Sequence, residues 1–285
     1  MYYVLKVLFW GLGKLPFCVL YALSDGLCFV VYRLVGYRKA VVFDNLRHAF
    51  PEKGEAEIRG LARAFYRNLC DQIVETVKLA SADYATIRRR FDADWSKIPE
   101  PNCLLVMGHQ FNWEWGNWVA AREISLTLVG VYAKIKASAF EKLMWEWRSK
   151  GGGVIVPGKS LLHELSLRPA CFTVLIADQN PGNLFKAHWT PFFGRPVPFN
   201  TGPERLARST GHPVVFLELV KTGRGRYTAL YRTAFEHPKS TRPGEITEAF
   251  AKFMESAVRR QPENWMWSHK RWKHTHKFPA NVRKD

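Results

Sequence analysis

Acidic residues are scarce in this chain. Its 285 residues carry 25 Asp+Glu against 42 Lys+Arg, a formal net charge of +17. That imbalance points to anionic partners: nucleic acid, a phospholipid surface, an acidic protein or a phosphorylated substrate. Cysteines are few and odd in number (18, 28, 70, 103 and 171), with no CxxC. This argues against a disulfide frame or a zinc site and fits reduced core cysteines of a cytosol-facing protein. The longest uncharged run in the amino-terminal segment, Leu15 to Ser24, has ten residues. A clean membrane span needs ~20. GxGxxG, Walker, HExxH and GxSxG motifs are missing, which leaves nucleotide, zinc and serine-hydrolase chemistry without support. Gly151-Gly152-Gly153 lacks the lysine of a phosphate loop. Repeats and low-complexity linkers are also missing.

What is present is a 47% hydrophobic chain with eleven tryptophans, a residue that favours membrane interfaces. Residues 2–35 are apolar and aromatic but interrupted by Lys6, Lys14, Asp25 and Arg33. A tilted span, an interfacial helix and an ordinary buried helix all fit this pattern. The early charges and reduced cysteines argue against export, despite Ala22-Leu23-Ser24. We therefore expect a membrane-associated helix at 1–35 and an α/β domain at 36–285, the latter divided into a helical lead-in (36–100) and a core (101–285). In the lead-in, a short helix stops at Pro51 and a long one follows. Ile58, Leu61, Ala62, Phe65, Leu69, Ile73 and Val77 share one face of the long helix. Arg59, Arg63 and Arg67 share another, read as a solvated face.

In the core, strands are predicted at 103–107, 126–132, 153–156, 171–177, 213–220 and 227–233. Helices fall around 114–123, 138–149, 159–167 and 202–210. The alternation predicts a mostly parallel central sheet flanked by helices. Phe185 to Thr201, with five aromatics and three prolines, reads as an aromatic loop over a site. A last amphipathic helix carries Ile246, Phe250, Phe253 and Val258 on one face. In the tail, Trp265 to Lys273, cations alternate with tryptophans. That mixture suits nucleic-acid stacking or an anionic membrane equally.

His109 falls in the turn between a strand and a helix opened by Asn112, where α/β folds put their chemistry. Glu114 follows in the helix's first turn. The imidazole is expected to fold back onto that carboxylate, leaving its other nitrogen as a base. The alternative is a loop histidine beside a glutamate that merely favours the helix dipole.

Several motifs then combine in order: His109-x4-Glu114, Trp147-Arg148-Ser149, Ala177-Asp178-Gln179, Pro191-Phe192-Phe193-Gly194, Thr201-Gly202-Pro203 and Pro262-Glu263-Asn264-Trp265-Met266-Trp267-Ser268-His269-Lys270-Arg271-Trp272. With the apolar amino terminus, they resemble the bacterial lipid A late (lauroyl/myristoyl) acyltransferases, within the glycerolipid acyltransferase superfamily. The resemblance implies transfer of a fatty acyl chain from acyl carrier protein, or coenzyme A, to a hydroxyl of a phosphorylated lipid A precursor. It implies the cytoplasmic face of the bacterial inner membrane, no metal or cofactor, and no nucleic acid. His109 and Glu114 would form a general-base dyad. Arg148 would hold a phosphate or stabilise charge, unless it pairs with a carboxylate. Asp178 and Gln179 would position substrate, unless Asp178 caps a turn. Phe111, Trp113 and Trp115 would line an acyl groove or belong to the core. In the tail, Trp265 and Trp267 would be structural, and Lys270, Arg271 and Lys273 would meet the phosphorylated lipid, with Lys134 and Lys136 the next candidates. Two competing readings are the same fold acting on another lipid and a non-enzymatic basic membrane- or nucleic-acid-binding module.

Overall fold

The computed structural model describes residues 1–132, 137–168 and 170–278. The expected α/β architecture is present. A seven-stranded sheet has the order β1-β9-β8-β2-β5-β3-β4, where β1 is Phe91–Asp92, β2 Asn102–Met107, β3 Thr127–Tyr132, β4 Val154–Pro157, β5 Cys171–Ile176, β8 Val214–Gly223 and β9 Arg226–Phe235. Strands β4, β3, β5, β2 and β8 are parallel, and β9 folds back antiparallel on β8. The central strands read as unbroken apolar runs because helices cover both faces. Strand β2 is buried from Cys103 to Met107.

Phe185 to Thr201 is not a loop. It contains a two-stranded antiparallel hairpin, β6 (Ala187–Phe192) and β7 (Arg195–Asn200). Phe193 and Gly194 make its turn, both at positive φ, as a tight two-residue connection requires. Prolines lack the donor for a central ladder, but this ribbon has two free edges. Pro191 pairs with Pro196 there at no cost to a third strand.

The amino-terminal segment is two helices, not one: α1 (Tyr2–Lys14) and α2 (Phe17–Phe29), the latter continuing as a π-helical turn, Val30–Val35. Pro16 has no N–H to continue α1 and drives Leu15 to an extended ψ of 145°. Phe17–Val35 is long and apolar enough to cross a membrane by length and composition. Yet one of its faces is taken. It runs antiparallel along α4 (Glu55–Lys78), with Lys78 Nζ on Leu15 O at 2.8 Å, Tyr21 on Glu75 at 2.9 Å, Ser24 on Asp71 at 2.8 Å, and the Tyr32 and Tyr66 rings 5.1 Å apart. Helix α1 docks on α7 (Ser138–Ser149) through Tyr2 and Lys6 on Glu146 and Phe9 on Trp147. The opposite faces stay bare: Val4, Val7, Leu8 and Trp10 on α1, and Val19, Leu23, Phe29 and Leu34 beyond it.

Asp71 holds this seam together. Fully buried, it accepts from Ser24 and is paired with Lys221 at 3.2 Å and Arg224 at 2.8 Å. Removing one member of a buried ion cluster leaves the others uncompensated. Asp71→Ala is expected to destabilise the protein by about 3 kcal/mol. Unfolding in detergent micelles measures this, and an unchanged midpoint would show that the seam is held by apolar contact alone.

Candidate active site

Strands β2 and β5 are neighbours in register, with Met107 opposite Ile176. The ladder continues one step beyond, Ala177 N donating to Met107 O at 3.0 Å. His109 and Asp178 each lie two residues past those paired strand ends. The register therefore sets them side by side at the carboxyl edge, where parallel sheets gather ligands. His109 Nδ1 lies 2.6 Å from Asp178 Oδ1, and the His109 backbone N–H donates to Oδ2 at 2.9 Å. Trp265 Nε1 donates to the same Oδ2 at 2.6 Å. Close approach needs Gly108, because a Cβ there would overlap Met254 and lie 3.1 Å from Asp178 Oδ2.

Burial opposes the charge on Asp178, which is 2% exposed, but the adjoining imidazole and the three N–H groups outweigh it. They hold the carboxyl at about 2. An ionised carboxylate on Nδ1 fixes the tautomer with the proton there, so the lone pair is on Nε2. Nε2 has no hydrogen-bond partner among the described residues.

The expected contact between His109 and Glu114 is not made; Asp178 occupies that place. Glu114 sits in the first turn of α6 (Trp113–Glu123), which faces the last turn of α7. There Arg148 grips it, with Nε at 3.1 and 3.0 Å from the two carboxylate oxygens and Nη2 at 2.6 Å from Oε1. The helix dipoles favour an acid at that start and a base at that end. Trp113 lies between the two groups, its ring edge-on to His109 at 5.6 Å and its Nε1 on Glu114 at 3.0 Å. Arg148 thus takes the ion-pairing alternative, and Asp178 holds an imidazole rather than capping a turn.

His109, Trp113, Glu114, Arg148 and Gln179 line one cavity of about 510 Å³. Its floor is one face of the sheet. Leu105, Val174, Gly130 and Ile155 form one cross-strand row, and Met107, Ile176 and Leu217 the next. Gly116, Asn117 and Ala120 of α6 form the roof. Small residues on both sides leave the gap: a Cβ on Gly130 would lie 2.8 Å from Ile155 Cδ1. Of the three aromatics proposed for a groove, only Trp113 lines it; Phe111 and Trp115 are core.

In the tail, Trp265 and Trp267 are buried, as expected. Arg271 is a correction. It is 0% exposed, donating to Asn180 Oδ1 at 2.8 Å and Pro198 O at 2.9 Å, with its guanidinium carbon 4.2 Å from the Phe199 ring centroid. It holds the tail to the β6–β7 hairpin and does not face a surface. Burial depresses its basicity, to about 9. Lys270 and Lys273 are exposed and make no contact with the cavity. Lys134 and Lys136 lie outside the described residues. Sequence reasoning missed the Trp265 indole on Asp178. It also missed Glu75, a fully buried carboxyl that accepts from Asn112 at 2.8 Å and Tyr227 at 2.7 Å behind the His109 turn.

His109, held by the buried Asp178 carboxylate, thus lines a mostly apolar cavity, an arrangement that suits proton transfer on a substrate with a hydrocarbon part. The chain matches the sequence model of the bacterial lipid A biosynthesis acyltransferases over residues 1–274, and it belongs to that family. A search of curated proteins found no match. Membership makes the protein an acyltransferase of lipid A biosynthesis with an acyl donor and a lipid acceptor, and it sets aside the non-enzymatic binding module.

His269 supplies a test of the tail's packing. Its Nε2 accepts the Asn180 N–H at 3.1 Å, and burial, then the Arg271 charge, lower it from 6.5 to about 4. The folded state therefore disfavours the proton that the unfolded chain binds below pH 6.5. Stability is full above that value and falls as pH drops toward 4. The melting temperature should decline across this window, and His269→Gln should flatten the decline. An identical slope in the variant would refute it.

Proposed function

We propose that the protein transfers a fatty acyl chain from a thioester of acyl carrier protein or coenzyme A to a hydroxyl of a lipid A precursor, with His109 as general base. The observation that carries this reading is the His109–Asp178 pair at one end of an apolar cavity in a member of this family. The acceptor hydroxyl gives its proton to Nε2 as its oxygen attacks the thioester carbonyl. The tetrahedral intermediate then expels the thiolate, and the C–S bond breaks. Nε2 returns the proton to sulfur, leaving an ester and a free thiol. No covalent enzyme intermediate is required.

Asp178, rather than Glu114, would orient the ring and stabilise the imidazolium. Glu114 would aim Arg148 into the cavity. The Arg148 Nη1 group is left over for a phosphate or the developing oxyanion. Gln179 would position substrate at the same edge. The row from Leu105 to Ile155 would take the acyl chain. Lys270 would meet the phosphorylated acceptor from outside; the burial of Arg271 withdraws it from that role. We read residues 1–35 as a membrane-facing pair of helices and 36–285 as the acyltransferase domain, working at the cytoplasmic face of the inner membrane. The seam along α4 supports helices lying on the bilayer over a span, because α4 carries exposed Arg59, Arg63 and Arg67.

Purified protein, acyl carrier protein thioester and detergent-solubilised lipid A precursor test the reaction. His109→Ala should lower turnover about 10²–10⁴-fold with the fold intact. Normal turnover in that variant would sink the mechanism. Asp178→Asn should lose a comparable factor, and the double variant little more, since such a pair acts as a unit. Glu114→Gln is expected to act mainly on KM through Arg148. If Glu114→Gln lost kcat while Asp178→Asn kept it, the assignment of the two carboxylates would be reversed.

In the same assay, Ala120→Leu should fill the cavity roof and shorten the acyl chain accepted. An unchanged chain-length profile would show that the chain lies elsewhere.

A further inference from the structure

The arginine face of α4 is more than a solvated stripe. Arg63 and Arg67 line a second cavity of about 710 Å³, between α4, the Val30–Val35 turn and the β8–β9 connection. Arg33, Lys221 and Arg224 complete its positive wall. Against these five cations stand two lining carboxylates, Asp71 and Glu263, a surplus of three. Asp25 pairs with Arg224 and, at 4.0 Å, with Arg67 from outside the cavity, so a surplus of two remains. Asp71 is already saturated by Lys221, Arg224 and Ser24. Among the described residues, Arg33 and Arg63 are in no ion pair. A concave surface with unpaired guanidinium groups attracts an anion, and their planar forks match phosphate oxygens.

The surroundings select the anion. Phe29 lies on the cavity rim and is 59% exposed, and Val30, Leu34 and Val35 continue the bare apolar face from there. Cations and aliphatic surface therefore meet along one line. A bilayer has that order, with phosphates directly above hydrocarbon. An acidic protein would offer carboxylates to the arginines but nothing to the aliphatic face beside them.

We propose that this cavity binds the phosphate headgroup of an anionic bilayer phospholipid and so sets the protein's depth and orientation on the membrane. The proposal rests on the reading of the amino-terminal helices as membrane-facing. Full-length protein, diluted from detergent, is floated with phosphatidylcholine vesicles and with vesicles that also contain phosphatidylglycerol. Wild type should bind both and prefer the second. Arg33→Gln with Arg63→Gln should weaken that preference roughly ten- to thirty-fold while keeping binding to phosphatidylcholine. Lys239→Gln with Lys252→Gln, exposed cations outside this cavity, should keep the preference.

Equal losses in the two pairs would mean diffuse charge and overturn the site. So would a preference that survives in the arginine pair. Displacement of the protein by millimolar inorganic phosphate at constant ionic strength would reassign the cavity to free phosphate. Capture of the arginine-dependent site by an acidic carrier protein, without vesicles, would reassign it to a protein. Wild type that binds neither vesicle would overturn the membrane-facing reading of the amino-terminal helices, and the site with it.

Discussion

A buried negative charge on Asp178 is the constraint around which the candidate site is arranged. A carboxylate with almost no solvent must find its compensation inside the protein. Asp178 finds it in the His109 ring, the His109 backbone and the Trp265 indole. Two of these belong to the turn after β2 and the third, Trp265, lies 87 residues beyond Asp178 in the chain. The carboxy-terminal segment must therefore close over the sheet edge before the histidine has a fixed tautomer. Its own backbone is tied down accordingly. Asn45 donates to Trp267 O and His269 O, Asn68 to Glu263 O, and Asn264 to Leu219 O. The tail pattern, which on paper looked like a membrane or nucleic-acid surface, is in large part the clamp on one carboxylate.

Most of the sheet was legible because its strands are apolar runs of the right length, separated by helical periodicity. The six strands expected in the core are all present. What local pattern could not give was adjacency. Strand β5 enters the sheet between β2 and β3, although β3 and β4 lie between β2 and β5 in the chain. That insertion brings Asp178 to His109. Nothing within five residues of the histidine announces it, so the nearby Glu114 took the part. The proline-rich hairpin was missed for a different reason. Proline is a strong sign against a central strand and a weak one against an isolated ribbon. With the hairpin misread as a loop, the aromatic walls that enclose Arg271 were invisible, and a cation among tryptophans seemed to face outward.

The amino-terminal helices and the site are not independent parts. Tyr21 of α2 donates to Glu75 of α4, and Glu75 in turn accepts from Asn112. Asn112 is the cap of α6: its side-chain oxygen accepts the Trp115 N–H at 3.1 Å while its amide donates to Glu75. Phe17 adds a ring contact to Trp115, 5.9 Å between centroids. A chain of bonds thus runs from α2 to Asn112, three positions after His109, the residue that starts the helix bearing Glu114. Burial pushes the Glu75 carboxyl up, so removing its donors would leave a poorly solvated group directly behind the turn. Loss of residues 1–35 would strip partners from Asp71 and Glu75 at once. Inactivity after such a truncation would follow from a deformed site even with the protein still on the membrane. In this fold the apolar amino-terminal segment is also part of the wall behind the His109 turn.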